Sequence, residues 1–202
     1  MIAIIDYGVG NLFSLCSSLE YIGADATVTG DPDEIRRADK IILPGVGAFE
    51  EAIAMLRESG LADVVCEQAR AGKDIMGICL GMQLLFDRSF EYGEHEGLGL
   101  IRGSVVSMEG RIPEGLKIPH IGWNELHFNK DHRLFRYLNK GDCVYFVHSY
   151  FASDCNDAVI ATAEYGIELT AAVARDNVMG CQFHPEKSGE AGLKILKAFC
   201  EV

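Results

Sequence analysis

The first half of this 202-residue chain alternates short, uninterrupted apolar runs with segments of helical periodicity. Short strands that are apolar on both faces are typical of a parallel sheet covered by helices on both sides. Right-handed crossovers between such strands predict a doubly wound α/β fold with a mostly parallel, flavodoxin-like sheet. The predicted strands are Ile2–Ile5, Ala26–Thr29, Lys40–Leu43 and 75–78, and the predicted helices are 11–22, 32–36, 48–56 and 61–71.

The second half has a different pattern, with many short β-like runs followed by one helical segment. It predicts an antiparallel extension that returns to the central sheet, closed by a final helix. The whole chain, 1–202, is expected to form a single domain, since no linker or repeat interrupts it. The polar, glycine-rich stretch 87–99 is predicted to be a loop beside the site. The β-like runs are 103–108, 143–151, Val159–Glu164, 169–175 and 178–183, and the final helix is Gly189–Cys200.

Composition excludes several classes of function. The formal net charge of −12 disfavours nucleic-acid binding, which needs Lys and Arg against phosphates. No apolar run approaches the roughly 18–20 residues of a membrane helix, and the run at 1–6 lacks the basic lead of a signal peptide, so a cytoplasmic location is expected.

The seven cysteines are odd in number, scattered, and contain no Cys-x-x-Cys pair. This pattern predicts neither a disulfide framework nor a zinc site, and we expect no cofactor or metal. Cys16, Cys66 and Cys181 lie in apolar contexts and are expected to be small core residues.

Gly77-Ile-Cys79-Leu-Gly81 lies between an apolar run and a helical pattern at 82–86. A strand, a tight turn and a helix with a nucleophile at the turn define a nucleophile elbow, here with cysteine in place of serine. His184 and Glu186 follow another apolar run, and the proline between them ends the strand. Together these residues predict a Cys79-His184-Glu186 triad of nucleophile, base and orienting carboxylate.

Two further segments bear on the chemistry of the predicted elbow. The N–H of Leu80 is the natural first oxyanion donor. The glycines of segment 44–47 free its backbone to supply a second donor, although in isolation this segment is interpreted more simply as a plain β-to-α turn. Gln83 lies one helical turn after Cys79 and faces the same way. The segment 6–11 lacks the third glycine of a phosphate-binding loop, so no nucleotide site is predicted there.

Taken together, these residues resemble the class I, triad-type glutamine amidotransferases and, within that class, the glutaminase subunits of imidazole glycerol phosphate synthase. The resemblance covers essentially the whole chain, and its motifs show no departure. The Cys and His-Pro-Glu motifs belong to the wider class. The Asp-Tyr-Gly-x-Gly-Asn, Pro-Gly-Val-Gly and Gly-Trp-Asn motifs are more specific to the subunit. The matching segments are Asp6-Tyr-Gly-Val-Gly-Asn11, Leu43-Pro-Gly-Val-Gly-Ala-Phe49, Gly77-Ile-Cys-Leu-Gly-Met-Gln-Leu-Leu-Phe86, Gly122-Trp-Asn124, Phe146-Val-His-Ser-Tyr150 and Gln182-Phe-His-Pro-Glu-Lys-Ser188.

The resemblance implies hydrolysis of glutamine through a thioester on Cys79, with His184 as acid and base. It implies an oxyanion hole formed by the N–H groups of Leu80 and Val46. It also implies a glutamine pocket, although Glu91, in the polar stretch, would be taken as solvated from the sequence alone. The residues implied for that pocket are Gly47, Gln83, Glu91, Ser149 and Tyr150.

The resemblance further implies a separate (β/α)₈-barrel cyclase partner that uses the ammonia to make imidazole glycerol phosphate and an aminoimidazole carboxamide ribotide in histidine biosynthesis. The pair would form a heterodimer with weak glutaminase activity until the cyclase binds its nucleotide. Trp123 is the only tryptophan and a candidate hot spot, with a core aromatic role as the alternative. The candidate partner face contains Asn11, Trp123, Asn124, Tyr145 and Lys187.

Three other interpretations remain open at the level of sequence. The nearest is a glutaminase of the same class serving anthranilate, aminodeoxychorismate or pyridoxal phosphate synthesis. A stand-alone cysteine hydrolase or peptidase on a similar fold is the second, although relatives of that kind carry His directly after the elbow Cys, where this chain has Leu80. A catalytically silent regulatory module is the third, and the complete triad argues against it.

Overall fold

A computed structural model of the chain describes residues 1–201. Strands and helices alternate as far as the fifth helix, except that the third and fourth helices follow one another directly, and strands then dominate until the last helix. The helices are α1 Leu12–Tyr21, α2 Pro32–Arg37, α3 Phe49–Glu58, α4 Leu61–Arg70, α5 Leu80–Leu84 and α6 Gly189–Cys200. The strands are β1 Ile2–Ile5, β2 Ala26–Thr29, β3 Lys40–Leu43, β4 Asp74–Ile78, β5 Phe86–Ser89, β6 His95–Glu96, β7 Ile101–Ser107, β8 His120–Glu125, β9 His127–Phe128, β10 Cys143–His148, β11 Tyr150–Ser153, β12 Val159–Glu164, β13 Glu168–Arg175 and β14 Val178–Cys181.

The central sheet has eight strands in the order β2-β1-β3-β4-β14-β13-β12-β9. The first five are parallel, and the last three continue the sheet in antiparallel pairing. This confirms the predicted fold class, a doubly wound parallel sheet with an antiparallel extension. The pairing of β14 with β4 matters most for function, because its register sets Cys181 opposite Ile78 and brings the carboxyl ends of both strands to one edge.

Two hydrophobic layers cover the parallel sheet, one on each face. In β1, Ile2 and Ile4 face the layer that contains α1 and α6, whereas Ala3 and Ile5 face the layer of α2, α3 and α4. Successive side chains of one strand point to opposite faces of the sheet, and they therefore enter different hydrophobic layers. Both layers need apolar residues, which explains the uninterrupted apolar runs in the sequence.

The structure corrects the predicted course of the second half. The run 143–151 was expected to be one strand, but it divides at Ser149 into β10 and β11, which lie in different small sheets. Strand β10 pairs with β8, and β11 joins a four-stranded sheet with β7, β5 and β6. Only β12, β13 and β14 of the predicted runs return to the central sheet. The run is apolar except for His148 and Ser149, and these two polar residues at the division do not by themselves specify a change of sheet.

Two local predictions were also wrong. The helical pattern at 82–86 extends too far, since α5 ends at Leu84 and Phe86 begins β5. The stretch 87–99 is not simply a loop, because it contains most of β5 and all of β6. Strand β8 was not predicted at all. Its glycine and its polar side chains hide the alternation that marks a strand.

The seven cysteines are all free thiols, as the sequence predicted. The choice of core cysteines was right only in part. Cys181 is buried, whereas Cys16 and Cys66 are half-buried. Cys155, which was not singled out, is buried as well.

Candidate active site

Cys79 occupies a strained turn between β4 and α5. Its φ of +54° lies in the left-handed region that non-glycine residues rarely adopt. The flanking glycines make the turn possible. A Cβ on Gly77 would lie 2.7 Å from the Gly81 oxygen, and one on Gly81 would lie 1.9 Å from the Leu43 oxygen. The strand and the helix therefore pass close to each other at the two glycines, and strain of this kind at a cysteine is typical of functional sites.

His184 follows β14, and hydrogen bonds at both its backbone N–H and its backbone carbonyl hold it in place. Its N–H donates to the Tyr145 carbonyl at 3.0 Å, and its carbonyl accepts from the Ser188 hydroxyl at 2.6 Å. The same hydroxyl accepts from the N–H of Tyr145 at 2.9 Å. The imidazole therefore projects from a backbone with little freedom, at the edge of the sheet that carries Cys79.

The His184 and Glu186 side chains are paired and buried. His184 Nδ1 lies 2.8 Å from Glu186 Oε1, and each side chain is 3% exposed. Burial lowers the pKa of His184, but hydrogen bonds to Cys79 and Glu186, with the negative charge of each, outweigh it and raise this pKa to about 9. The site therefore favours a protonated His184 ring beside the Cys79 sulfur.

A cavity of about 830 Å³ opens over the thiol and gathers most of the predicted residues. It is lined by Cys79 and His184 of the triad, and Glu186 lies behind His184. All seven residues predicted for the oxyanion hole and the substrate line this cavity, namely Val46, Gly47, Leu80, Gln83, Glu91, Ser149 and Tyr150. Their convergence supports the predicted site, and their individual roles remain proposals.

Glu91 differs from its expectation as a solvated residue. It is half-buried, and its carboxylate accepts from the N–H of Phe49 at 2.6 Å, one of the unpaired N–H groups at the start of α3. The polar stretch is thereby tied to α3 at the mouth of the cavity. The contact depends on a carboxylate 42 positions away in the chain, so no local pattern could have revealed it.

The Gln83 amide is already engaged by the protein. Its Nε2 donates to the Tyr150 carbonyl at 3.2 Å and to Gln182 Oε1 at 3.0 Å. The Tyr150 carbonyl also faces His148 Nδ1 at 2.8 Å, so both of its acceptor positions are used. Gln83 thus offers a ligand its Oε1, which is an acceptor for N–H groups.

The segment 44–47 packs directly against the elbow. A Cβ on Gly45 would lie 2.8 Å from the Gly81 nitrogen and 2.9 Å from the Tyr7 hydroxyl oxygen. That hydroxyl donates to the Pro44 carbonyl at 2.8 Å in a buried contact, and burial raises the pKa of Tyr7. Gly47 has a φ of +100°, which requires glycine. Segment 44–47 is therefore fixed against the elbow by close backbone packing and a buried hydrogen bond, which the interpretation as a plain β-to-α turn does not explain.

The five residues predicted for the partner face have different surroundings. Trp123 is 55% exposed and contacts Tyr145 edge to face, with ring centroids 5.9 Å apart, so a core role for Trp123 is excluded. The Asn124 side chain is used within the chain, since it contacts His120 at 2.9 Å and donates to the Glu164 carbonyl at 2.7 Å. Lys187 is exposed and lines the cavity, and Asn11 borders a small void beside His184.

Several residues of the site were missed from the sequence. Gln182 is fully buried and its Nε2 lies 3.7 Å from Cys79 Sγ. Its position two before His184 was the available signal, because alternate residues of an extended chain share a face. Tyr7 and Ser188 gave no such signal, since their roles depend on backbone groups distant in sequence.

Within residues 1–201, no group of three or more His, Cys, Asp or Glu side chains could hold a metal ion. In the same part of the chain, none of the helices has both the length and the apolar character needed to cross a bilayer.

The strained cysteine, the buried His-Glu pair and the parallel sheet define a class of protein. Residues 3–202 match the family model described as glutamine amidotransferase class-I. Among solved structures, a glutamine amidotransferase aligns over 100% of both chains with a TM-score of 0.77 at 19% identity. PurLQS from Thermotoga maritima aligns over 99% of this chain and 97% of its own, with a TM-score of 0.77 at 23% identity. At these identities the two structures support the fold alone.

Closer relatives narrow the family. The chain is 52% identical to the imidazole glycerol phosphate synthase subunit HisH of Caldanaerobacter subterraneus subsp. tengcongensis, over 100% of this chain and 98% of the relative. It is also 52% identical to the HisH subunit of Sulfurimonas denitrificans, over 98% and 97%. The chain belongs to the class I glutamine amidotransferases and, within them, to the HisH family.

Proposed function

We propose that this chain hydrolyses glutamine to glutamate and ammonia for imidazole glycerol phosphate synthase in histidine biosynthesis. The observation that carries the proposal is the contact between a strained Cys79 and a buried His184-Glu186 pair at one edge of a parallel sheet. Full-length relatives at 52% identity that are named as subunits of that synthase support the pathway.

Cys79 acts as the nucleophile. Its thiolate attacks the side-chain amide carbon of glutamine, and the electron pair of the carbonyl bond moves to oxygen. The His184 imidazolium then gives its proton to the amide nitrogen, and the C–N bond breaks to release ammonia and leave a thioester. Neutral His184 next removes a proton from water, which attacks the thioester and frees glutamate. Glu186 orients the ring through the 2.8 Å contact at Nδ1.

Two backbone N–H groups are proposed to hold the oxyanion. Leu80 is the first residue of α5, so its N–H has no partner within the helix. Val46 lies on the segment that packs on the elbow and is 40% exposed at the cavity. We propose that its peptide turns toward the thiol when the partner is engaged. Val46→Pro removes this N–H, and stimulated activity that survived the change would contradict this role.

The remaining cavity residues are proposed to hold glutamine. Gln83 Oε1 faces the ligand as an acceptor, since the amide nitrogen is engaged elsewhere. Gly47 leaves open space for the substrate, because a Cβ on its backbone would have no atom within 4 Å. Glu91, Ser149 and Tyr150 complete the wall. The Tyr150 carbonyl is saturated, so substrate contacts from this segment fall to its other backbone groups.

The ammonia is proposed to pass to a (β/α)₈-barrel cyclase subunit in a cytoplasmic heterodimer. The names of the relatives support a subunit of a larger synthase. Trp123, exposed beside Tyr145, is the proposed anchor of the partner face, because a large exposed aromatic is typical of interface hot spots. Asn11 and Lys187 flank it in the proposal, whereas Asn124 contributes through the strand rather than through a free side chain.

The test is glutamate release from glutamine, measured for the chain alone, with the cyclase, and with the cyclase and its nucleotide ligand. We expect weak activity alone and strong stimulation in the complete system. Cys79→Ala should lose the stimulated activity, and its matched control is Cys143→Ala, which removes an exposed thiol and should behave as wild type. Full activity of the chain alone, unchanged by the cyclase and nucleotide, would contradict the proposal and favour a stand-alone hydrolase.

A further inference from the structure

A chain of hydrogen bonds runs through the interior from β8 to the thiol. It begins at His120, which is 1% exposed, and ends at Cys79, which is its only member that belongs to the triad. The links are His120 Nδ1 to His148 Nε2 at 3.1 Å, His148 Nδ1 to the Tyr150 carbonyl at 2.8 Å, Gln83 Nε2 to the same carbonyl at 3.2 Å, Gln83 Nε2 to Gln182 Oε1 at 3.0 Å, and Gln182 Nε2 to Cys79 Sγ at 3.7 Å.

The direction of these bonds is fixed at the histidine end. A carbonyl only accepts, so His148 must carry its proton on Nδ1. Burial lowers the pKa of His148 to about 3, so the ring is neutral and its Nε2 is an acceptor. His120 must therefore donate from Nδ1. A neutral His120 has one N–H, so this bond competes with the contact between His120 Nε2 and Asn124 Oδ1.

The direction of the bonds also matters at the Cys79 end of the chain, because a glutamine amide carries an acceptor oxygen on one side and a donor nitrogen on the other. The Gln182 side chain is fully buried, and rotating it by half a turn would exchange its oxygen and nitrogen. In one orientation Nε2 donates to the thiolate, and in the other Oε1 faces a negative sulfur. Gln83 can donate only to an oxygen, so its bond selects the first orientation. Gln83 is held in turn by the Tyr150 carbonyl, which also accepts from His148 Nδ1.

We propose that the buried amide of Gln182 donates to the Cys79 sulfur and stabilises the thiolate, and that His148 is a positioning residue, which holds the Tyr150 carbonyl that fixes Gln83 and through it the orientation of that amide. This rests on Cys79 as the nucleophile of the proposed function. The network adds a donor to the thiolate that is independent of His184. His120 supports the network from behind His148, and the Asn124 end contributes least because its bond is contested.

The experiment measures the rate of Cys79 alkylation by iodoacetamide between about pH 6 and about pH 9, followed on the Cys79 peptide by mass spectrometry. Gln182→Met keeps the length of the side chain and removes its donor. A hydrogen bond to a charged group favours its charged form by about tenfold. We therefore expect alkylation of Gln182→Met to be about tenfold slower near neutral pH, with the midpoint of its pH dependence shifted to higher pH. The matched control is Thr162→Val, a buried polar residue of the same sheet outside the network, which should match wild type.

A second pair of variants separates positioning from packing. His148→Phe fills the space without a donor, whereas His148→Asn can place an amide N–H where Nδ1 lies. We expect slow alkylation in the first and substantial recovery in the second, with circular dichroism confirming that both fold. If Gln182→Met does not fold, this pair decides the question.

Alkylation of Gln182→Met and His148→Phe at the rate and midpoint of Thr162→Val would overturn the proposal. Equal slowing of His148→Phe and His148→Asn would do so as well, since packing alone would then explain it. The assay needs neither glutamine nor a partner. Loss of the proposed function would leave the alkylation pattern intact, and loss of the pattern would leave glutaminase activity of the wild type unaffected.

Discussion

Replacing Tyr7 with phenylalanine removes one hydroxyl group and leaves the ring in place. That hydroxyl donates to the Pro44 carbonyl at 2.8 Å, and the tyrosine side chain is 5% exposed. The carbonyl would lose a buried donor, and an unsatisfied buried acceptor costs about 1–3 kcal/mol. In a chain of this size, each kcal/mol lowers Tm by about 2–4 °C.

The assay is thermal and urea unfolding of Tyr7→Phe beside a matched control. Tyr165 donates to the Lys117 carbonyl at the same distance, 2.8 Å, but in an exposed contact. Water can replace that donor, so Tyr165→Phe should change the free energy of unfolding by no more than about 0.5 kcal/mol. Equal losses in the two variants would refute the reasoning, because burial would then not decide the cost. Tyr7→Phe should also lower glutaminase activity, since segment 44–47 loses a fixed point.

Three further predictions concern the elbow, the triad and the partner face. Gly81→Ala sets a methyl carbon 1.9 Å from the Leu43 oxygen, so we expect a loss of about 3 kcal/mol or more in urea unfolding; a stable variant would contradict the packing. Glu186→Gln removes a carboxylate 2.8 Å from His184 Nδ1, so the pKa of His184 should fall from about 9, and the pH above which the ring loses its proton should fall with it. An NMR titration of the ring measures this pKa, and an unchanged value would refute the role of Glu186. Trp123→Ala should weaken cyclase binding by about tenfold or more in calorimetry while Tm stays near wild type, because the side chain is 55% exposed. Undiminished affinity would remove Trp123 from the interface.

The sequence predicted the central sheet well because its strands carry their own signal. The runs Ile2–Ile5 and Lys40–Leu43 are apolar on both faces, and the observed strands have the same bounds. The elbow could also be predicted from the sequence. Glycine is required at Gly77 and Gly81 because a Cβ at either position would collide with neighbouring backbone. Local pattern and tertiary structure agree at these positions.

The outer sheets and the support of the site could not be predicted in the same way. The break at Ser149 divides a mostly apolar run whose halves pair with β8 and β7, and a single sequence does not specify these pairings. The contacts of Tyr7 with Pro44 and of Gln182 with Cys79 join residues 37 and 103 positions apart. Such contacts depend on strand order and register, and they become visible only once the sheet has brought the strand ends together.

The central claim is that Cys79 performs the glutamine chemistry and that the ammonia is used elsewhere. The most direct test is Cys79→Ala in the complete complex with the cyclase and its nucleotide. We predict that glutamate release from glutamine falls to background, while added ammonium salts still support product formation by the cyclase. Glutamate release that persisted in the variant at a rate near wild type would contradict the account.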